Sequence, residues 1–253
     1  MNRFSVLLSC AGLALSAACA PAGAPNAPNA PDAQVQRMRT AMAAPARSDE
    51  DRARDVNRKP IEVVQFLGIA DGDNVLELVA AGGWYTQMLS AAVGPDGHVY
   101  AQNPPFFLST EGFAEREAAL HGRLGNVTAV HGDVGAAGID GQMDAAITAL
   151  NLHDMYNGGG EAAAMPLISG AFNALRSGGV FGVIDHRGMA GQPNRDYHRM
   201  EESAAVELLE MAGFVVEASS DILSNPDDDH MRGSGDPSLG RNSDRFLLRA
   251  RKP

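Results

Sequence analysis

Apolar residues along this chain fall into two alternating rhythms, one at helical spacing and one in short continuous runs. Val35, Met38 and Met42 recur at helical spacing and predict a short helix. In the charged stretch after it, Ser48 with Asp51 three places on predicts a second helix start. Pro60 opens a third, with Ile61, Val64 and Leu67 on one face and Gly68 at its end. The rhythm then shortens. Asp71, Gly72 and Asp73 make a turn, and residues 75–79 form an apolar run suited to a buried strand. From Trp84 the helical period returns through Tyr85, Met88, Leu89 and Ala92, until "GPDG" at 94–97 breaks it.

The alternation continues to the last residues. Residues 98–103 predict a second strand, 111–120 a helix and 126–133 a third strand. A fourth strand starts at Met143 and runs into the polar residues 151–154, and Met165, Ile168, Phe172 and Leu175 mark the next helix. Residues 180–188 predict a fifth strand, and Ala205, Leu208, Leu209 and Ala212 a helix that Gly213 ends. "FVVEASSDI" and "RFLLRARK" are two last strands joined by a Pro/Asp/Gly-rich loop. Strands alternating with helices predict an α/β fold: a mostly parallel sheet of seven strands with helices on both faces. No helix separates the final two strands, so they predict an antiparallel hairpin at the sheet edge.

The N-terminus follows neither rhythm. Arg3 precedes an apolar run at 4–15 and then small residues, the layout of a secretory signal peptide over 1–20. The run is too short for a membrane-spanning helix. "LSAAC" at 15–19 resembles a lipobox with Ser16 where a larger aliphatic residue is usual. A lipid on Cys19 and ordinary cleavage after Ala18 or Ala20 are both open. Residues 21–33, rich in Pro, Ala and Asn, predict a linker, and 34–253 one folded domain with a helical extension at its start. The chain is expected to be exported, periplasmic or lipid-anchored in the envelope.

Charge and cysteine usage narrow the chemistry. The net charge is −11 and the basic residues are scattered, which excludes nucleic acid as a partner. Cys10 and Cys19 are the only cysteines and both lie in the leader, so the domain has no thiolate for zinc or for nucleophilic attack.

The stretch "ELVAAGGWYT" at 77–86 joins the first strand to its helix. An acid ends the strand and a Gly-Gly pair precedes the helix, as in nucleotide-binding α/β proteins, but Val79 and Ala81 stand where glycine is usual. Together with the order of elements, this layout resembles the Rossmann-like class I S-adenosylmethionine-dependent methyltransferase fold. "RKPIEVVQFLGI", "VLELVAAGGWYTQMLSAAVGPDGHVYAQN", "NLHDMYN", "GGVFGVIDHRG", "GFVVEASSDILSNPDDDH" and "DRFLLRARKP" more narrowly resemble a family of exported bacterial proteins described as methyltransferases. The resemblance covers the chain from about Pro60 to Pro253 and implies architecture more than a substrate.

In an open parallel sheet the ligand lies beyond the carboxyl ends of the strands, where the strand order reverses. The polar residues that end the predicted strands all fall on that edge. The resemblance implies that S-adenosylmethionine would lie over Gly82 and Gly83, with Glu77 at its amino-acid end. Alternatively, the glycines only make a tight turn and Glu77 caps the helix. Gln102 and Asn103 occupy the slot where a carboxylate usually binds ribose hydroxyls; a neutral amide binds them more weakly. Asp133 fits the position that meets the adenine amino group, or is a loop residue. Trp84 packs its helix or contacts the cofactor.

"NLHDMYN" sets His153 beside Asp154, and "IDHRG" sets Asp185 beside His186 at the neighbouring strand end, so both pairs are expected to face one cleft. An Asp could orient a His that removes a proton from an acceptor hydroxyl or amine. The same groups could hold a divalent metal, or only shape the turns. Asp227, Asp228, Asp229 and His230 lack calcium-loop spacing; their loop could fold over the cleft with His230 entering it. Arg52, Arg54, Arg58 and Lys59 form a solvated face, or a subset meets a carboxylate or phosphate. Three functions follow. One is a methyltransferase acting on a small-molecule or envelope substrate. The second is a non-catalytic envelope binding or scaffold protein on the same fold. The third is a metal-dependent enzyme built on the Asp/His cluster.

Overall fold

The computed structural model describes Met1 and residues 30–253. The expected signal peptide, the lipobox cysteine and all but the end of the linker lie outside the described residues. Helix α1 (Ala30–Met42) begins within the span expected to be linker. Its Gln34 side chain is buried and donates to the carbonyls of Ile69 (2.9 Å) and Ala92 (3.1 Å), which anchors the helix to the rest of the domain. Ser48 caps α2 (Asp49–Arg58) by accepting from the Asp51 amide at 3.0 Å, as the Ser-x-x-Asp pattern predicts. Helix α3 (Pro60–Leu67) follows, and Gly68 ends it with φ +74°.

The sheet is built from β1 (Asn74–Leu78), β2 (His98–Asn103), β3 (Val127–His131), β4 (Met143–Ala149), β5 (Leu175–His186), β6 (Val215–Ser220) and β7 (Arg245–Arg251). Its order is β3-β2-β1-β4-β5-β7-β6. The first five strands are parallel, and β7 runs antiparallel between β5 and β6. This is the predicted parallel sheet with its C-terminal hairpin. The order reverses between β1 and β4, which places the switch point at the end of "ELVAAGG".

Helices α4 (Trp84–Val93), α5 (Phe113–Leu124), α6 (Leu152–Ala174) and α7 (Glu202–Met211) make the connections. Apolar residues of α1, α3 and α4, among them Met38, Val64 and Met88, fill one core. Those of α6 and α7, among them Ile168 and Leu208, fill the other. Gly182 lets α3 lie directly on β5, since a Cβ there would sit 2.5 Å from Leu67 Cδ1.

Four expectations need correction. Strand β4 stops at Ala149, Leu150 turns with φ +64°, and α6 starts at Leu152, so residues 152–154 open a helix instead of ending a strand. The fully buried Leu152 side chain fixes that start. The apolar stripe at 165–172 marks only the second half of α6, because Gly159 and Gly160 break it; Leu175 already belongs to β5. Between β3 and β4 there is a single 3-10 turn, Val134–Ala137, and no helix. Helix α5 begins at Phe113, after Gly112 with φ +67°.

A buried ion pair holds the long β6–β7 loop over this sheet edge. Arg199 is fully buried and donates to Asp228 (2.9 Å) and to the carbonyls of Arg187 and Arg232 (both 3.0 Å). Asp228 also accepts the amides of Asp244 (2.7 Å) and His230 (3.0 Å). Truncating one partner strands the other's charge. We therefore expect Asp228→Ala to lose about 3–5 kcal/mol in urea unfolding. A loss below about 1 kcal/mol, the range of an exposed pair, would show that the loop is held otherwise.

Candidate functional site

The loop after β1 takes a left-handed backbone at three alternate positions: Val79 (φ +55°), Ala81 (φ +50°) and Gly83 (φ +76°). Gly82 does not take it, so of the Gly-Gly pair only the second residue supplies the conformation that glycine favours. For a branched residue such as Val79 this backbone is a true outlier. Neighbouring groups impose it. The Val79 amide donates to Gln102 Oε1 (3.1 Å) and the Ala81 amide to Asn103 Oδ1 (2.7 Å). Asn151 Nδ2 reaches the Val79 carbonyl at 3.4 Å from the other side. The two amides are themselves anchored, Gln102 Nε2 on the Gly132 carbonyl (2.7 Å) and Asn103 Nδ2 on Glu117 Oε1 (3.0 Å). Glu117 in turn meets His131 Nε2 at 2.6 Å.

Two cavities meet at Val79, and the α5 side of the loop, at Ala81, Gly82 and Gly83, borders a larger space of about 570 Å³. One, of about 250 Å³, lies over the end of β1, with Glu77, Trp84 and Tyr85 below and Arg54 and Arg58 of α2 above. The other, of about 260 Å³, is mostly apolar and is lined by Gln102, Pro104, Asp133, Val134 and Met155. Leu78 and Val79 line both. Asp133 borders the second cavity and caps its turn by accepting from the Gly135 amide at 3.0 Å. Asn103 borders neither, facing the α5 side of the loop. Glu77 is 5% exposed and accepts from Thr86 Oγ1 at 2.5 Å, which ties β1 to α4. Burial pushes its carboxyl up to about 8, although the Thr86 bonds and the Arg58 charge pull the other way.

The Asp/His residues sort differently from their order in sequence. Asp185, fully buried, accepts from the backbone amide of His153 (2.8 Å), from His153 Nδ1 (2.6 Å) and from the amide of His186 (2.7 Å). His153 therefore pairs with Asp185 and not mainly with its neighbour. Burial lowers the basicity of His153, but the Asp185 bond and charge, with Asp154, outweigh it and raise its pKa. The other ring nitrogen of His153 points towards Asp154 (3.2 Å), which also meets His198 Nδ1 at 3.1 Å. His198 was not a candidate from the sequence; a lone histidine in a loop gives no periodic or spacing signal.

His186 turns away from that cluster. It bonds Ser243 Oγ at 2.6 Å and borders a third cavity, of about 390 Å³. Burial first, then the charges of His153, Arg245, Arg199 and Arg58, hold its pKa well below the usual histidine range, so it is neutral. The two pairs thus do not share one cleft: His186 faces the cavity, while His153 lies edge-on behind it at 5.2 Å. His230 does not enter either; it is held by Asp244 at 2.8 Å. The loop that carries it does wall the third cavity, through Ser234, Gly240 and Ser243.

Two donor sets result. One ligand atom each from His153, Asp154 and His198 lies within 4.8 Å of the others, with Asp185 fixing the His153 ring from behind, as carboxylates do for metal-bound histidines. The cavities beside Val79 fit an adenosyl amino acid in layout. A buried acid lies at one end, and an apolar slot with the Asp133 carboxylate lies at the other. The ribose slot departs from the usual pattern, because its side chains are amides already engaged by the protein. The apolar walls Val134 and Met155 carry no local sequence signal, because they come together only through the return of the chain to β4.

No protein-family model matches the chain, and no curated protein matches it by sequence. Solved structures do match. It superposes on an S-adenosylmethionine-dependent methyltransferase from Aquifex aeolicus with a TM-score of 0.58 at 17% identity, covering 86% of this chain and 97% of that one. The [4+2]-cyclase SpnF matches with a TM-score of 0.58 at 17% identity, covering 90% and 98%. Fibrillarin from Aeropyrum pernix, solved with S-adenosylmethionine bound, matches with a TM-score of 0.50 at 16% identity over 78% and 76%. The chain therefore has the class I methyltransferase fold.

The Glu77 environment makes a signed prediction. Between about pH 4.5 and 8 the folded protein holds a proton on Glu77 that the unfolded chain has released. Stability associated with Glu77 is therefore present below that window and lost as pH rises through it. Glu77→Gln removes this dependence. Its stability relative to the parent should improve from pH 5 to 8, by at most about 1.4 kcal/mol per pH unit, and level off above. A difference independent of pH in thermal unfolding would contradict the assignment.

Proposed function

We propose that the protein is an S-adenosylmethionine-dependent methyltransferase of the exported bacterial kind its segments resemble, acting on a small-molecule or envelope acceptor. The observation that carries this is the loop after β1, left-handed at Val79, Ala81 and Gly83 and set between two cavities at the switch point. Bound there, the cofactor would supply an electrophilic methyl group, and transfer needs positioning above all. Glu77 would meet its amino-acid end, the loop at Gly82 its backbone, Gln102 the ribose side, and Asp133 the adenine amine, while Asn103 braces the loop from the α5 side and the Gly83 amide is spent on the Ala80 carbonyl (2.9 Å). The neutral His186, bordering the adjoining cavity, would take the proton of an acceptor group. His153 and Asp185 would hold that strand end in place. The leader would deliver the protein to the envelope, with or without a lipid on Cys19.

Two other readings each have an observation in their favour. Val79 and the engaged amides favour a domain that binds ligands without methyl transfer, and SpnF, described as a [4+2]-cyclase, has the same fold. The His153, Asp154 and His198 cluster favours a metal-dependent enzyme.

Calorimetric titration of the purified protein with S-adenosylmethionine and S-adenosylhomocysteine, with and without zinc or manganese, separates the three. We expect metal-independent binding that Val79→Gly strengthens. Strain relief of about 1–3 kcal/mol roughly offsets the lost Val79 packing and the added chain entropy, so that variant's stability should change little. No nucleoside binding at millimolar ligand would sink the methyltransferase reading. Metal binding lost in His198→Ala, without nucleoside binding, would favour the third.

A further inference from the structure

The third cavity, of about 390 Å³, adjoins the first through Arg54, Arg58 and Leu150. Its charges are uneven. Arg54, Arg58, Arg241 and Arg245 line it, and Glu50 is the only acid among its lining residues. Glu50 is already taken by Arg54 and by Arg241. That leaves Arg58 and Arg245, neither of which pairs with a carboxylate among the described residues. Arg58 lies over the Trp84 ring, 4.7 Å from its centroid. Arg245 is 2% exposed and donates only to the Ser243 carbonyl (3.1 Å) and Asn242 Oδ1 (3.0 Å). The acid next to it, Asp244, is held by Arg187 (3.1 Å) and His230 (2.8 Å). Tyr85, nearby, gives no counter-charge: burial pushes its phenol up to about 12, so it stays neutral.

Burying a guanidinium without a counter-ion is unfavourable, and bringing a second one near it adds repulsion. Burial lowers the pKa of Arg58, and the charges of Arg54 and Arg245 lower it further, partly opposed by Tyr85 and by the Asp51 carboxylate, which does not reach salt-bridge distance. This is found in a chain whose net charge is −11. An arginine pair kept unmatched in a cavity matches one class of ligand well, an oxyanion that accepts charge-assisted bonds from both forks. His186 and Ser243 supply polar groups beside them, and Ala53 and Leu150 an apolar wall.

We propose that this cavity is the acceptor site, and that it takes a small molecule bearing a carboxylate or phosphate, held by Arg58 and Arg245 beside His186. The role of acceptor rests on the methyltransferase reading, while the anion site itself does not. The site also explains why α2 is fastened to α4, with the Trp84 indole donating to the Asp51 carbonyl at 3.0 Å.

The test titrates the full purified protein with benzoate, phenyl phosphate and neutral benzamide, and separately with S-adenosylhomocysteine. We expect at least one of the two anions to bind, and to bind ten-fold or more tighter than benzamide; the tighter anion names the head group. Arg245→Gln should weaken that binding ten-fold or more and leave the S-adenosylhomocysteine affinity unchanged. If Arg245→Gln does not fold, Arg58→Gln is the second variant, read on anion affinity alone because Arg58 also borders the cofactor cavity. Equal binding of benzamide, no anion binding at millimolar ligand, or unchanged anion affinity in the folded variant would overturn the proposal. Anion binding without S-adenosylhomocysteine binding would uphold the site while refuting the methyltransferase reading.

Discussion

The backbone at Val79 and Ala81 is left-handed, and the side-chain amides of Gln102 and Asn103 hold it there. An L-residue in this region costs about 1–2 kcal/mol, and a β-branched one is the least suited. A hydrogen bond returns a net of about 0.5–1.5 kcal/mol, so two from the amides and one from Asn151 are of the size needed to offset it. Where glycines would adopt this conformation freely, this chain enforces it from the next strand. The position of the loop fixes the rest of the edge: Val79 separates the two flanking cavities, and the turn into α4 brings Thr86 onto Glu77.

The same two amides stand in the sequence slot where a ribose-binding carboxylate is usual, though only Gln102 borders a cavity beside Val79. Holding the loop uses one acceptor and one donor from each. A carboxylate at either position has no N–H to donate to Gly132 or Glu117. The non-glycine residues at 79 and 81 and the amides at 102 and 103 are thus parts of one arrangement. Around it, charge is placed by burial. Glu77 is held towards its protonated form, His186 is neutral, and among the described residues Arg58 and Arg245 have no salt-bridge partner.

Much of the fold was legible because it rests on local patterns. Ser48, Pro60, Gly68 and Gly213 punctuate helices by short-range chemistry, and the apolar runs at 75–79 and 180–188 read directly as strands. The start of α6 was not legible, since its first turn carries polar residues and its apolar stripe resumes only after Gly159 and Gly160 break it. The candidate site was legible in position more than in partnership. Glu77, Asp133 and Asp185 lie at the switch edge as the strand ends imply. The pairing of His153 with Asp185, the addition of His198, and the separation of His186 into another cavity depend on how helices and loops pack. Arg58 and Arg245 are 187 positions apart in numbering, and no sequence pattern links them across that distance.

The central claim is that an amide-braced, left-handed loop seats the cofactor between the cavities on either side of Val79. A crystal structure of the protein with S-adenosylhomocysteine tests it most directly. The account predicts the ligand spanning both cavities, with Val79 still at positive φ and the Gln102 and Asn103 bonds intact. A ligand bound elsewhere, or a loop that abandons those bonds to admit it, would contradict it.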